Sequence, residues 1–247
     1  MIDFTIGIAG REAGVRAMFD STRDFCAEYL CDAEPDLFVE SGAEDLRKER
    51  ERSARADQLE GRSVRTIPDA YLELLAVQRK LAEALFAFDT LLFHGSVVAV
   101  DGEGYLFAAK SGTGKSTHAR LWREMLGERA VMINDDKPFL RMEGGRVFAY
   151  GSPWNGKHRL GTNGCAPLKA ICILERGEVN EIHPISKAEA LPVLMQQTHR
   201  PSDKANFPKF MELMGKLTEG TAFYRLKCNM EKDAAKASYE GMKGMPI

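Results

Sequence analysis

A glycine-rich segment in the middle of the chain constrains its fold more than any other feature. It reads Ser-Gly-Thr-Gly-Lys-Ser-Thr over residues 111–117, between an apolar stretch at residues 105–109 and a helical pattern that opens at Lys115. A strand, a glycine-rich turn and a helix in this order are typical of a phosphate-binding loop, where backbone N–H groups and the positive helix end meet an anion. The full consensus has glycine at Ala109, and we expect its methyl group to shift the backbone only slightly. A strand-to-helix turn that binds nothing is the alternative.

Two side chains of this phosphate loop (residues 111–117) carry specific chemistry. The Lys115 ammonium has the reach to contact β- and γ-phosphates, and the Ser116 hydroxyl is placed to hold Mg²⁺. The sequence therefore predicts that the chain binds ATP, or another nucleoside triphosphate, together with Mg²⁺. The residues predicted to bind it are Ser111, Gly112, Thr113, Gly114, Lys115, Ser116 and Thr117.

An acidic pair, Asp135-Asp136, follows the next apolar strand, predicted at Ala130–Asn134. Acids at the end of such a strand can meet a metal ion beside bound phosphates. Successive side chains of an extended strand point to opposite sides, so we expect the two carboxylates to have different roles. One would bind Mg²⁺ and the other would act as general base towards an acceptor hydroxyl. The alternative is a strand terminator with both acids in water.

Residues 151–159, Gly-Ser-Pro-Trp-Asn-Gly-Lys-His-Arg, combine an aromatic side chain with three basic ones in a Gly/Pro-rich loop. Lysine and arginine often clamp the transferring group in phosphoryl transfer, which suggests this role for Lys157 and Arg159. A tight connection with its charges in water is the alternative. Arg176 is a weaker candidate for the same role, and we expect His118 only to pack. A lone histidine at a strand start, such as His94, is usually structural.

The overall composition excludes several classes of protein. The 34 basic and 36 acidic side chains give a formal charge of −2, which provides no basis for binding nucleic acid or an anionic membrane. The five cysteines form no C-x-x-C pair and no zinc-finger spacing, as in a reducing compartment. The first residues do not resemble a signal peptide, and no apolar stretch reaches the roughly 18 residues of a membrane helix. We therefore expect a soluble, cytoplasmic protein.

The pattern along the chain predicts a mixed α/β protein with two regions. Residues 1–88 form a smaller N-terminal α+β region of unknown role, and residues 89–247 form a nucleotide-binding core. The periodicity predicts strands over residues 2–8, 36–40, 91–100, 105–109, 130–134, 168–174 and 222–226, and helices over 44–55, 71–88, 115–125, 187–197, 202–217 and 231–243.

Several of these motifs resemble those of known kinases. Residues 94–116 resemble the catalytic core of HPr kinase/phosphorylases, in which a His-Gly pair, a glycine-containing hairpin and a phosphate loop follow at this interval, with paired aspartates like Asp135-Asp136. The phosphate loop is similar to that of ATP-dependent phosphoenolpyruvate carboxykinases. The strings His-Gly-Ser, Ser-Gly-Thr-Gly-Lys-Ser-Thr-His, Asn-Asp-Asp-Lys-Pro and Ser-Pro-Trp-x-Gly-Lys, between His94 and Lys157, resemble those of small uncharacterised bacterial HPr-kinase-like (carboxykinase-like) proteins.

This resemblance implies the phosphate-loop fold of the HPr kinase C-terminal domain and of the carboxykinases. It also implies residue roles: Lys115 on the phosphates, Ser116 and Asp136 on Mg²⁺, Asp135 as base, and His94 beside the transferring phosphoryl group. The implied activity is a kinase acting on a hydroxyl of a peptide, protein or small molecule. A carboxykinase-like lyase and a nucleotide-sensing binding protein are the alternatives.

The chain also departs from both families. The second signature loop of HPr kinases and the arginine-rich oxaloacetate site of carboxykinases are not recognisable in it. We therefore do not expect HPr or oxaloacetate as substrates. The sequence leaves the acceptor, the nucleotide base and the oligomeric state open.

Overall fold

The computed structural model describes residues 1–243, and the chain divides into two compact units, Met1–Ala87 and Phe88–Ile247. Both units combine helices with a β-sheet, which confirms the predicted mixed α/β class. None of the helices in the described part of the chain is long and apolar enough to cross a membrane.

The first unit is built on a three-stranded sheet in which β1 and β2 are antiparallel and β3 is parallel to β2. The buried carboxylate of Glu73 accepts hydrogen bonds from Met18 N and from Ser41 Oγ, each at 2.6 Å. It thereby ties the segments that follow β2 and β3 to α3. The elements of this unit are β1 (Ile2–Ile8), β2 (Arg11–Ala17), α1 (Asp20–Phe25), β3 (Leu37–Glu40), α2 (Ala43–Leu59) and α3 (Asp69–Leu85).

The second unit contains a nine-stranded sheet in the order β4-β8-β9-β10-β6-β5-β7, with β12 paired to β10 and β11 paired to β12. Its elements are β4 (Thr90–Leu92), β5 (Ser96–Val100), β6 (Glu103–Ala108), α4 (Lys115–Leu126), β7 (Ala130–Asn134), β8 (Phe139–Glu143), β9 (Arg146–Tyr150), β10 (Cys165–Arg176), β11 (Glu181–Pro184), α5 (Lys187–Gln197), α6 (Phe207–Glu219), β12 (Ala222–Cys228) and α7 (Lys232–Lys243).

Strand β6 leads directly into the phosphate loop and is held on both sides. It pairs with β5 in an antiparallel hairpin and with β10 in parallel. The long strand β10 pairs with β9 through its first residues and with β6 and β12 beyond them. The loop after β6 therefore starts from a fixed strand inside the sheet.

Helix α4, which follows the phosphate loop, is fixed by aromatic packing. The ring of Trp122 lies 5.2 Å from that of Tyr105, 5.1 Å from that of Phe107 and 5.5 Å from that of Tyr239 on α7. Its indole N–H donates to Ser238 Oγ at 2.7 Å, so the buried polar group has a partner. The middle of α4 is therefore packed firmly against β6 and α7.

Several predicted elements are confirmed and one is wrong. Helix α4 and strand β7 begin where the sequence predicted them. The single strand predicted over residues 91–100 is instead two strands, because β4 pairs with β8 whereas β5 pairs with β6 and β7. The chain breaks around Gly95, where a Cβ atom would lie 3.0 Å from the carbonyl oxygen of Phe107. His94 therefore lies in this break and not inside a strand.

Candidate active site

The phosphate loop has the backbone geometry that an anion-binding turn requires. Gly112 and Gly114 have φ angles of 76° and 116°, in the left-handed region that favours glycine. Apart from the adjoining residues of the loop, no described atom lies within 4 Å of the place that a Cβ of Gly112 would occupy, so the loop is open on that side. Arg176 Nη2 donates a hydrogen bond to Gly112 O at 2.6 Å. This bond steadies the loop and brings a guanidinium group to its edge.

Lys115, the first residue of α4, is buried, with 8% of its surface exposed. Its ammonium donates to the carbonyl oxygen of Ala109 at 3.0 Å, the one hydrogen bond that it makes within residues 1–243. Burial lowers the pKa of Lys115, and the negative charge of Asp136 opposes this shift. An ammonium carries three donors, so the group retains donors that can contact phosphate oxygens.

The two aspartates lie in a turn that starts as β7 ends, the acidic turn (residues 134–137). The side-chain oxygen of Asn134 accepts from the backbone N–H groups of Asp136 at 2.9 Å and Lys137 at 2.7 Å. This Asx-type turn bends the backbone away from the strand direction. The two carboxylates therefore no longer follow the strict alternation of a strand.

Asp135 lies on the side of the phosphate loop and is 5% exposed. Its Oδ1 atom accepts a hydrogen bond from Ser96 Oγ at 2.9 Å, and the side chain of Ser116 lies close enough to act on the same carboxylate. Burial raises the pKa of Asp135, whereas the side chains of Ser96 and Ser116 lower it. Asp135 is thus the acid in contact with the loop hydroxyl predicted to hold Mg²⁺.

The side chain of Asp136 lies next to His94. It is more accessible than that of Asp135, with 36% of its surface exposed. Its Oδ1 atom is 3.3 Å from His94 Nε2 and 2.7 Å from Lys137 Nζ. Burial, followed by the positive charges of Lys137 and Lys115, lowers the pKa of His94 to about 4. The imidazole is therefore neutral near pH 7 and pairs with Asp136 as a hydrogen-bonding group.

The loop that carries Trp154, residues 151–159 (the Trp154 loop), is anchored to the acidic turn. Ser152 Oγ donates to the carbonyl oxygen of Lys137 at 2.6 Å, and Asn134 Nδ2 donates to Ser152 O at 3.1 Å. Trp154 itself is buried, with 6% of its surface exposed. The aromatic side chain therefore holds the loop in place.

Gly156 brings this loop into direct contact with Asp135. A Cβ atom at position 156 would lie 2.6 Å from Asp135 Oδ2, closer than any side chain tolerates. His158 acts electrostatically on the same carboxylate and lowers the pKa of Asp135. Lys157 and Arg159 are exposed beside this contact. The loop therefore presents basic side chains near the acidic turn.

Two further histidine and arginine candidates have different surroundings. His118 is buried, packs against the ring of Phe107 and shares a hydrogen bond with Ser238 Oγ at 2.9 Å, which confirms the expectation that it packs. Arg176, in contrast, contacts the phosphate loop directly.

The structure places most of the predicted site residues around one loop and adds others that sequence reasoning missed. Ser96 and Gly156 were missed although both lie inside the quoted motifs His-Gly-Ser and Ser-Pro-Trp-x-Gly-Lys. Lys137 follows the acidic pair directly, so its position was a usable signal. Gln197, whose carbonyl accepts from the backbone N–H of His94 at 2.7 Å, carries no such signal because it comes from the distant helix α5.

Comparison with known protein families gives a match over more than half of the chain. Residues 69–219 match the model of the SynChlorMet cassette protein ScmC family. The chain belongs to this family. The matched residues of this ScmC family member include the phosphate loop, the acidic turn and the Trp154 loop. None of the curated proteins matches the chain.

Among solved structures, the chain is similar to the Hpr(Ser) kinase/phosphatase from Coxiella burnetii. The two are 14% identical with a TM-score of 0.30, over 51% of this chain and 94% of the other. So distant a similarity provides no argument about activity. The geometry of the site itself is therefore the basis for a proposed function.

Proposed function

We propose that this chain is a Mg²⁺-dependent kinase that binds a nucleoside triphosphate and transfers its γ-phosphoryl group to a hydroxyl. The observation that carries the proposal is the arrangement around Lys115. Its buried ammonium adjoins an open, glycine-bent loop and is influenced by the charges of Asp135 and Asp136. A cation, a phosphate cradle and two acids are the parts that phosphoryl transfer requires.

The residues present fit a Mg²⁺ ion bound with a nucleotide. Within residues 1–243, no cluster of three or more histidine, cysteine, aspartate and glutamate side chains could hold a metal ion. Mg²⁺ in nucleotide sites is usually held by one or two protein oxygens together with phosphate oxygens and water. Ser116 and Asp135, whose side chains lie close together, supply such oxygens. The ion would neutralise charge on the β- and γ-phosphates.

The placement of the two acids favours roles opposite to those expected from the sequence. Asp135 is buried and contacts Ser116, so we propose it as the Mg²⁺ ligand. Asp136 is more exposed and lies beside His94, so we propose it as the base that accepts the proton of the acceptor hydroxyl. The strand pattern alone does not say which acid has which role, and the resemblance to HPr kinases suggested the opposite assignment; the turn held by the Asn134 side chain separates the two carboxylates.

We propose that the remaining basic side chains act on the transferring phosphoryl group. We propose that neutral His94 orients Asp136 and adjoins the transferring group. Lys157 and Arg159 are exposed on the Trp154 loop, which contacts Asp135 through Gly156. They would stabilise the negative charge of the transferring phosphoryl group or hold the acceptor. The proposed acceptor is a hydroxyl on a peptide, a protein or a small molecule.

Transfer of labelled γ-phosphate from ATP into a native cell extract tests this function. We expect Mg²⁺-dependent incorporation with the natural chain and none above background with Lys115→Ala. Label that is stable to acid and removed by base would identify a serine-like hydroxyl. Equal labelling by both proteins would contradict the kinase proposal. Absence of label together with loss of oxaloacetate in a spectrophotometric assay would indicate a carboxykinase instead.

The role of His94 gives a separate expectation. His94→Ala should reduce phosphoryl transfer about 10²-fold, the usual effect of losing one polar group that acts on the reacting atoms. The affinity for Mg-ATP should change less than threefold, about 0.65 kcal/mol. Single-turnover transfer and calorimetric binding measure the two effects. His183→Ala, which alters an exposed histidine on β11, is the control. Full activity, or loss of the fold, would mean that His94 is structural.

The close approach of the Trp154 loop to Asp135 gives another testable expectation, which concerns Mg-ATP binding. Gly156→Ala should weaken Mg-ATP binding about tenfold, or 1.4 kcal/mol, because its methyl group must displace a carboxylate held by Ser96. The matched control is Gly215→Ala on α6, where no described atom lies within 4 Å of the new methyl group. Calorimetric titration with Mg-ATP compares the two variants. Unchanged affinity in Gly156→Ala would show that the contact does not position Asp135.

A further inference from the structure

A pocket is lined on one side by the phosphate loop and on the others by residues outside the acidic turn. It has a volume of about 380 Å³, within the size range of small-molecule sites. Its walls come from the phosphate loop and the first half of α4, from the end of β10, and from the end of β12 and the segment that follows it. They include Thr113, Thr117, Leu121, Leu174, Cys228 and Met230.

The position of this pocket matches the layout of a nucleotide. Lys115 and Ser116 lie towards the acidic turn, where the γ-phosphate would react. Thr113, Gly114 and Thr117 of the same loop line the pocket. A triphosphate that lies across the loop with its γ end at Asp136 therefore directs its other end into the pocket.

The chemistry of the walls suits a flat, weakly polar group. Leu121 and Leu174 are buried and provide an apolar floor. Met230 is 61% exposed and lies above the loop, with its methyl carbon 3.5 Å from the place of a Gly114 Cβ. An exposed, polarisable thioether at the mouth of a pocket adapts well to a ring system. Arg176 and Asn229 add polar groups at the margin.

We propose that this pocket binds the nucleoside of the triphosphate, with the base between Met230 and the leucine floor. The proposal rests on the function proposed above, since it needs a nucleotide on the phosphate loop. It adds that the affinity for ATP comes partly from the base and ribose. Inorganic tripolyphosphate, which has the phosphates without the nucleoside, separates the two contributions.

Calorimetric titration with Mg-ATP and with Mg-tripolyphosphate tests this pocket. We expect the natural chain to bind ATP more tightly than tripolyphosphate. Met230→Ala should weaken ATP binding about fivefold through lost contact with the base and leave tripolyphosphate within about twofold. The control is Met211→Ala, which removes an exposed methionine outside the pocket, on α6. It should change neither affinity. Equal effects of Met230→Ala on both ligands, or none on ATP, would overturn the pocket assignment.

A chemical measurement gives an independent result. Cys228 lines the pocket and is partly buried, whereas Cys165 is exposed elsewhere on the second unit. The rate of alkylation of Cys228 is measured by peptide mass spectrometry. Mg-ATP should slow this reaction, and Mg-tripolyphosphate should not. Cys165 should react equally in both cases. Protection of Cys228 by neither ligand, while both bind, would overturn the pocket but leave the phosphate site. Failure of both ligands to bind would contradict the proposed function as well.

Discussion

Asp136→Asn is expected to reduce phosphoryl transfer by about 10²–10⁴-fold, the usual contribution of a general base. Binding of Mg-ATP should remain nearly unchanged, because the Asp136 carboxylate is directed towards His94 and Lys137. Asparagine keeps the shape of the side chain, so packing is preserved. Single-turnover transfer and nucleotide affinity, measured across a Mg²⁺ titration, provide the two readouts.

Asp135→Asn is the matched comparison and should behave differently. Its carboxylate contacts Ser116, so the variant should lose about tenfold or more in apparent Mg²⁺ affinity and recover partly at high Mg²⁺. The reverse outcome, with rescue by Mg²⁺ confined to Asp136→Asn, would restore the roles expected from the sequence. Identical behaviour of the two variants would contradict any division of roles between the acids.

Lys115→Ala should weaken Mg-ATP binding by about 100-fold or more. Its ammonium is expected to make charge-assisted hydrogen bonds to two phosphates, each contributing about 1.5–3 kcal/mol. Two such contacts at the lower figure correspond to about 3 kcal/mol, or a factor of roughly 100. The variant also removes the hydrogen bond to Ala109 O, so its melting temperature without nucleotide must be measured first.

Lys110→Ala is the control for this variant. Lys110 is exposed and lies just before the phosphate loop, so the change removes a nearby positive charge without touching the cradle. We expect its affinity for Mg-ATP to fall no more than about threefold. If Lys115→Ala and Lys110→Ala behave alike, the lysine of the loop does not bind phosphate.

Elements with a strong local pattern could be predicted from the sequence. The phosphate loop, helix α4 and strand β7 each depend on glycine positions or on a continuous apolar run. Strand β2 was missed, since its sequence Arg-Glu-Ala-Gly-Val-Arg-Ala mixes charges with small residues. Gly14 in this strand accommodates Phe38, whose ring carbon would lie 2.7 Å from a Cβ there. That contact depends on the tertiary fold, so no local pattern reveals it.

The sequence indicated which residues belong to the candidate site, but not which of them contact each other. The sequence indicated that acids at the end of β7 lie near the phosphates, and the structure places Asp135 beside Ser116. Which acid faces the loop depends on two hydrogen bonds to the side chain of Asn134. The contact between Gly156 and Asp135 likewise requires the Trp154 loop to fold back. Such pairings arise from tertiary structure and not from spacing along the chain.

The melting temperature of the natural chain with and without nucleotide tests the central claim most directly, namely that the phosphate loop binds a nucleoside triphosphate with Mg²⁺. At a free ligand concentration of 100 times Kd, binding adds about 2.7 kcal/mol of stability. For a chain of this size, we expect a rise of about 5 °C or more with Mg-ATP. Adenosine, or ATP with the metal chelated, should give much less. No rise with any Mg-nucleoside triphosphate would contradict the account.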